Sequence, residues 1–169
     1  MKRFFFAAAA ALLASIPSAS ATPKPSIFAG LDANHMAIVE QSFAHGVPVV
    51  LDTETCLNEG MAGYYNGRVI AICMTGNGWD EENKDTLRHE AHHLVQDCRD
   101  TYLNGRLNAV YTDPIGLAKS WLGDRRIAGI LNAYAEASDH IKVMELEAFS
   151  VAAMNDPAEQ VQDIKTYCF

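Results

Sequence analysis

Apolar and polar positions follow different periods in the two parts of the chain. Residues 47–51 and 68–74 are short β-prone runs flanked by glycine or proline, with one helical segment ahead of them. From Asp80 onward, apolar residues recur at three- and four-residue spacing, which is typical of amphipathic helices. The pattern predicts an α+β fold in which a small β-sheet or edge strand is followed by a helical majority.

Capping residues place the element boundaries. A first helix is expected to begin after Asp32 or Asn34 and to end at His45. Residues 52–63 are polar and glycine-containing, so they predict a loop, and residues 68–74 form the strand best placed to present an edge to a substrate. The later helices are predicted to run from the Asp80 cap to Cys98, over 115–122 after Asp113-Pro114, over 127–137, from Ser138 or Asp139 to Met154, and from Asp156-Pro157 onward.

The N-terminus has the three parts of an export signal. Lys2 and Arg3 precede an apolar run over residues 4–16, and Ala19-Ser20-Ala21 supplies small residues for cleavage. The apolar run is shorter than the roughly 20 residues that span a bilayer. The sequence therefore predicts a signal peptide at 1–21 and a secreted or periplasmic domain at 22–169, free of the membrane after cleavage.

The charge balance narrows the range of partners. The chain has 21 acidic and 13 basic residues, a net charge of -8, and loss of Lys2 and Arg3 would make it more acidic. Such a surface repels nucleic acid and anionic membranes. The surface is compatible with a protein that acts on neutral or basic substrates. The composition does not specify an oligomeric state.

The four cysteines suggest two disulfides in an exported protein. None of them lies in a C-x-x-C arrangement, which argues against a cysteine-based zinc site. Three pairings are possible. Closeness in sequence favours Cys56 with Cys73, which leaves Cys98 with Cys168.

The segment His89-Glu90-Ala91-His92-His93 carries the strongest chemical signal. His89 and His93 are four residues apart, so a helix places them one turn apart on one face. Two imidazoles in that arrangement bind one zinc ion. Glu90 flanks the metal and would take a proton from a zinc-bound water molecule. His92 is expected to support the site or to lie on the surface.

This HExxH pattern, set in a helix, resembles the zincin metallopeptidases. The resemblance implies a zincin-like fold, one catalytic Zn²⁺, a peptide or protein substrate and peptide-bond hydrolysis with Glu90 as the catalytic residue. In metzincins, a glycine and a third histidine follow the HExxH motif. That extension is absent after His93. The gluzincin group instead takes a glutamate from a later helix. The resemblance covers residues 80–98 and, loosely, 139–154.

Two glutamates on the later helix are candidates for the third ligand. Glu147 is favoured because it is followed by Ala148, as in several gluzincins, and because apolar neighbours surround it. Glu145 has Lys142 one turn back, which predicts a surface ion pair, and His140 is a weaker alternative. Asp97 and Asp139 are possible supports for the metal-binding histidines. Four residues could donate to an oxyanion: Tyr64, Tyr65, Tyr134 and His140.

Three functions therefore compete. The first is an exported zinc endopeptidase, and the second is a zinc amidase or peptidase that acts on peptidoglycan. The third is a catalytically inactive binding protein with the zincin fold. Glu90 argues against the third function, because a structural metal site needs no general base.

Overall fold

A computed structural model describes residues 27–52, 54–74, 78–100, 103–154 and 156–168. The predicted signal peptide at 1–21 lies outside these residues. The architecture is mixed α+β, with a helical majority and a small sheet, as the sequence predicts. Within the described residues, no helix is long and apolar enough to cross a membrane.

The elements follow one another in chain order and are numbered accordingly. The helices are α1 Ala33–Ala44, α2 Glu54–Glu59, α3 Glu81–Cys98, α4 Pro114–Trp121, α5 Gly123–Ala133, α6 Asp139–Met154 and α7 Pro157–Tyr167. The strands are β1 Val49–Leu51, β2 Gly63–Tyr65 and β3 Ile70–Ile72.

Local capping signals explain most helix starts. Asp32 accepts hydrogen bonds from two backbone N–H groups of α1, and Asp80 accepts one from Asn83. Asp113 and Asp156 cap α4 and α7, each followed by proline at the first helical position. These four caps confirm the predicted starts. The α5 helix differs from prediction, because it begins directly at Gly123, where the backbone has φ +71.

The sheet has the order β1-β3-β2, with β1 parallel and β2 antiparallel to β3. β1 follows Pro48 at one edge, as predicted. The prediction for residues 68–74 is wrong in one respect, because β3 is the central strand and offers no free edge. The second edge is β2, which begins at the last residue of the segment 52–63 predicted to be a loop, and α2 forms within that segment.

Helix α3 is the centre of the fold. It contacts β2, β3, α1, α6 and α7, and 13 of its 18 residues are buried. Apolar side chains on one face, among them Leu87, Ala91 and Leu94, join the main core. Its opposite face carries buried polar residues, which need partners inside the protein.

Both predicted disulfides are present and confirm the favoured pairing. Cys56–Cys73 links α2 to the end of β3, and Cys98–Cys168 links the ends of α3 and α7 across 70 positions. The described region contains no free cysteine. The long loop that Cys98–Cys168 closes is the more effective constraint on the unfolded chain.

Candidate metal centre

Helix α3 brings His89, Glu90 and His93 to one side of the fold, where they line a cleft of about 770 Å³. The Nε2 atoms of His89 and His93 are 3.1 Å apart. Both rings are buried, with 7% and 5% of the residue exposed. His89, Glu90 and His93 each offer a ligand atom, these atoms lie within 4.8 Å of one another, and the group could hold a metal ion.

Glu145 of α6 completes this cluster. One carboxylate oxygen lies 3.3 Å from His89 Nε2, and the other lies 3.4 Å from His93 Nε2. Ligands about 2.0–2.1 Å from a tetrahedral zinc ion are separated by about 3.4 Å. The spacing of His89, His93 and Glu145 therefore fits a single ion of that size.

The buried polar atoms support the same fit. Among the described residues, Glu145 Oε2 has no hydrogen-bond partner, although it lies 3.3 Å from His89 Nε2. A buried carboxylate without a hydrogen bond is costly unless a cation compensates it. The nitrogen and oxygen donors of this set suit zinc. His89, His93 and Glu145 are thus the residues that would hold the ion, with Glu90 beside it.

The predicted third ligand, Glu147, points elsewhere and must be corrected. Its Oε1 lies 2.8 Å from His92 Nε2 and accepts a 2.8 Å hydrogen bond from Val110 N–H. Residues two apart on a helix lie about 200° apart around it, so Glu145 and Glu147 cannot face the same group. The apolar neighbours of Glu147 did indicate burial, but its partner is His92.

The ion pair expected for Glu145 is also wrong. Lys142 lies 3.9 Å from Asp139, on the exposed side of α6. Glu145 is only 8% exposed and faces α3. The spacing of Lys142 and Glu145 was compatible with a pair, but the packing of α6 on α3 turned the glutamate inward.

His92 is fully buried and pairs with Glu147. Burial lowers the pKa of His92, and the Glu147 carboxylate only partly opposes this. The Tyr111 ring lies 6.2 Å away, which helps to seal the pair from solvent. His92 is therefore an internal contact between α3 and α6, and the alternative of a surface position is excluded.

Gln96 orients one of the two metal-site imidazoles, and the sequence analysis missed it. Its Oε1 lies 2.8 Å from His93 Nδ1, and its Nε2 donates to the carbonyl of Met144 at 3.0 Å. The Met144 contact fixes which end of the amide faces His93. His93 then carries its proton on Nδ1 and keeps the Nε2 lone pair for a metal. The i,i+3 spacing from His93 was the available signal.

The two aspartates predicted to support the histidines contact other groups. Asp97 accepts hydrogen bonds from Tyr65 Oη and Gly105 N–H, both at 2.7 Å. Asp139 is exposed and lies near Lys142. Asp97 thus connects β2 to the segment after α3, and neither carboxylate reaches a metal-site histidine.

Glu90 has the surroundings of a proton acceptor. Burial raises its pKa, while the nearby His89 and His93 rings and the backbone N–H of Tyr65 partly oppose the rise. Strand β2 comes close to Glu90 because residue 63 is glycine. A Cβ there would lie 2.6 Å from Thr86 Cγ2 and 3.2 Å from Glu90 Cγ. Gly63 therefore sets the distance between the strand and the candidate base.

The charges of the cluster depend on one another. Burial alone would raise the pKa of Glu145, but the adjacent His89 and His93 imidazoles outweigh it and lower that pKa. Burial alone would lower the pKa of His93, but Glu145 outweighs it and raises that pKa. Glu145 is consequently held as a carboxylate, the form in which it binds a cation.

All four candidate oxyanion donors line the cleft. The hydroxyls of Tyr64 and Tyr65 already donate to Asp52 and Asp97, each at 2.7 Å. His140 Nε2 lies 2.8 Å from the carbonyl of Leu107. Tyr134 is the candidate next to Glu145. Burial and that carboxylate raise its pKa, so its hydroxyl keeps its proton.

In comparisons with known proteins, no family, curated protein or solved structure matched the chain. The geometry of this site and the chemistry of its residues are consequently the basis for inferring a function.

Proposed function

We propose that the protein is an exported, zinc-dependent peptidase of the zincin type, with one ion held by His89, His93 and Glu145. The observation that carries the proposal is the position of Glu90. It is a buried carboxylate beside two convergent imidazoles, and it opens onto the cleft. A metal site that served only stability would not need such a group. The two disulfides agree with an oxidising compartment.

The residues of the chain have distinct roles in this proposal. The ion would supply a Lewis acid and lower the pKa of a water molecule. Glu90 accepts the proton of the attacking water and passes it to the departing amine. The position of Glu90 suits this double role, because the carboxylate lies beside the two imidazoles and opens onto the cleft. Tyr134 donates its hydroxyl to the oxygen that becomes negative.

Strand β2 offers a way to bind an extended peptide. It pairs with β3 on one side only, and residues 63–67 line the cleft on the other. In an antiparallel pair, alternate residues direct their backbone groups towards the partner strand. Asn66 N–H donates to the Val69 carbonyl just before β3, so the odd-numbered residues of β2 direct their backbone groups away from β3. One of them, the Tyr65 N–H, contacts Glu90. A substrate that added a strand here would lie directly beside the proposed base.

The first experiment measures the metal. Purified protein should contain one zinc ion per chain by mass spectrometry, and a chelator should remove it. His89→Ala and His93→Ala should each lose the metal, while His45→Ala, a histidine at the end of α1, should keep it. Retention of zinc by both site variants would sink the proposal.

The second experiment separates an enzyme from a metal-binding scaffold. Zinc-loaded protein is incubated with a broad peptide library and with peptidoglycan fragments, and products are identified by mass spectrometry. Glu90→Gln should fold, keep its zinc and lose about 10²–10⁴-fold of any cleavage rate. Glu82→Gln, an exposed residue on the same helix, serves as the matched control.

The outcomes distinguish the competing functions. Cleavage of library peptides supports the peptidase, and cleavage of peptidoglycan fragments alone moves the substrate class to the cell wall. Full activity of Glu90→Gln would remove Glu90 from the mechanism. Absence of cleavage by zinc-loaded protein on every substrate would favour the inactive binding protein.

A further inference from the structure

Residues 105–108, within the segment 103–110 after α3, form one wall of the cleft, and hydrogen bonds hold this segment in place. Its main-chain groups are bound by partners on α3 and α6, which also carry the metal-site residues. The contacts are Gly105 N–H to Asp97 at 2.7 Å, Leu107 O to His140 at 2.8 Å, Asn108 N–H to Gln96 O at 3.0 Å and Val110 N–H to Glu147 at 2.8 Å. The wall is therefore fixed relative to the candidate metal centre.

Arg106 lies in the middle of this segment. Its backbone N–H donates to Asn104 Oδ1 at 2.7 Å, and its carbonyl accepts from Asn108. The residue lines the cleft and is exposed, and its guanidinium makes no ion pair with any described carboxylate. The main chain of this residue is thus anchored, while the guanidinium remains available to a ligand.

The charge of the cleft indicates which kind of ligand this guanidinium would bind. Apart from the metal-site residues, Arg106 is the one permanently charged side chain among the described residues that line the cleft. A divalent ion would offset the two carboxylates Glu90 and Glu145. Arg106 would then leave the cleft with a positive charge inside a protein of net charge -8. A guanidinium in such a place binds carboxylates through two parallel hydrogen bonds.

The two walls of the cleft meet next to Arg106. A Cβ on Gly67, just beyond β2, would lie 4.0 Å from Gly105 Cα and 3.8 Å from Asp97 Oδ2. A peptide that extends along β2 towards Gly67 therefore approaches the segment that carries Arg106. A carboxylate near that end can come from the C-terminus of the peptide or from an acidic side chain.

We infer that Arg106 is a specificity-determining residue that binds a carboxylate of the peptide substrate at the end of the cleft where Gly67 approaches Gly105. The inference rests on the proposed peptidase function for the identity of its ligand as a peptide. It adds the chemical class of the substrate, which the metal-site residues do not define.

The test measures binding rather than turnover, with the zinc-loaded Glu90→Gln variant and calorimetry. Four probes are used: N-acetyl-tetra-alanine with a free C-terminus, its C-terminal amide, and an amidated acetyl-Ala-Ala-Glu-Ala with its Gln counterpart. At least one carboxylate probe should bind about tenfold more tightly than its neutral partner, as charge-assisted hydrogen bonds require. The pair that shows the difference identifies the source of the carboxylate.

Substitutions at Arg106 complete the test. Arg106→Gln should abolish the preference and Arg106→Glu should reverse it, while Arg68→Gln, an exposed arginine that does not line the cleft, should leave it unchanged. Equal binding of both members of each pair, or a preference that survives Arg106→Gln, overturns the inference. Cleavage without a carboxylate preference would reject this inference and keep the peptidase. An Arg106-dependent preference without any cleavage would keep this inference and reject the peptidase.

Discussion

Helices α3 and α6 meet through two histidine–glutamate contacts that differ in their surroundings. At the cleft, His89 and His93 share Glu145 at 3.3 and 3.4 Å. On the other side, His92 and Glu147 form a pair 2.8 Å apart, with both residues completely buried. We refer to these as the cleft cluster and the sealed pair.

Residue type alone does not define a metal site. Both contacts have imidazole and carboxylate groups at low exposure. The sealed pair has one histidine, and the Val110 N–H already occupies the carboxylate oxygen that faces it. The cleft cluster has two imidazole nitrogens that converge on one carboxylate, whereas each contact leaves one carboxylate oxygen, Glu145 Oε2 or Glu147 Oε2, without a hydrogen-bond partner among the described residues. Convergence and access to the cleft separate a candidate site from an internal brace.

The largest expected effect is on metal affinity. Glu145→Ala should weaken zinc binding by about 10³-fold, because loss of a direct ligand exceeds the 10- to 100-fold cost of losing an outer partner. Glu147→Ala should stay within about threefold of the unmodified protein, since Glu147 is not near the ion site. Competition with a fluorescent chelator measures both. The reverse order of effects would mean that the sealed pair is the metal site.

The sealed pair should matter for stability instead. Glu147→Ala leaves His92 and the Val110 N–H without their partner, and breaking a buried pair costs about 3 kcal/mol or more. The free energy of unfolding from urea titrations of metal-free protein measures this loss. Glu136→Ala, an exposed residue after α5, provides the control. A loss no larger than that of the control would contradict the role of Glu147 as a brace.

Gln96 lets the orientation of His93 be tested separately. Gln96→Leu should reduce zinc affinity by about 10- to 100-fold, because His93 loses the acceptor for its Nδ1 proton. Gln96→Glu keeps an acceptor and should recover most of the affinity. Nitrogen chemical shifts of the His93 ring report the position of the proton. A ring that stays protonated on Nδ1 in Gln96→Leu would show that Gln96 does not set it.

The smallest expected effect comes from an acidic group near the sealed pair. Burial, with Glu159 and Glu147 nearby, raises the pKa of Asp163 to about 6. The folded protein therefore prefers the protonated carboxyl, and stability should fall as pH rises from about 4 to about 6. Asp163→Asn should remove that slope and raise stability above pH 6. Solvent screening limits the gain to about 1 kcal/mol or less.

This prediction has a direct check in denaturant titrations repeated across that pH range. The variant and the unmodified protein should converge below about pH 4, where the Asp163 carboxyl becomes protonated in both folded and unfolded chains. A stability difference that is the same at every pH would attribute the effect to packing rather than to charge.

The sequence predicted the elements whose signals are local. Asp80, Asp113-Pro114 and Asp156-Pro157 marked three helix starts, because a capping side chain acts on backbone groups two or three residues away. Pro48 marked an edge strand for a similar reason. Helix α2 and strand β2 were missed. A six-residue helix and a three-residue strand have little preference of their own and depend on what they contact.

For the candidate site, the sequence by itself determined His89, Glu90 and His93, because their spacing along a single helix fixes their geometry. It also favoured the correct disulfide pairing. Only the tertiary structure decided between Glu145 and Glu147 and revealed the role of Gln96. That choice depends on how α6 is rotated against α3. The rotation is set by contacts such as Gln96 to Met144, between residues 48 positions apart, which no local pattern encodes.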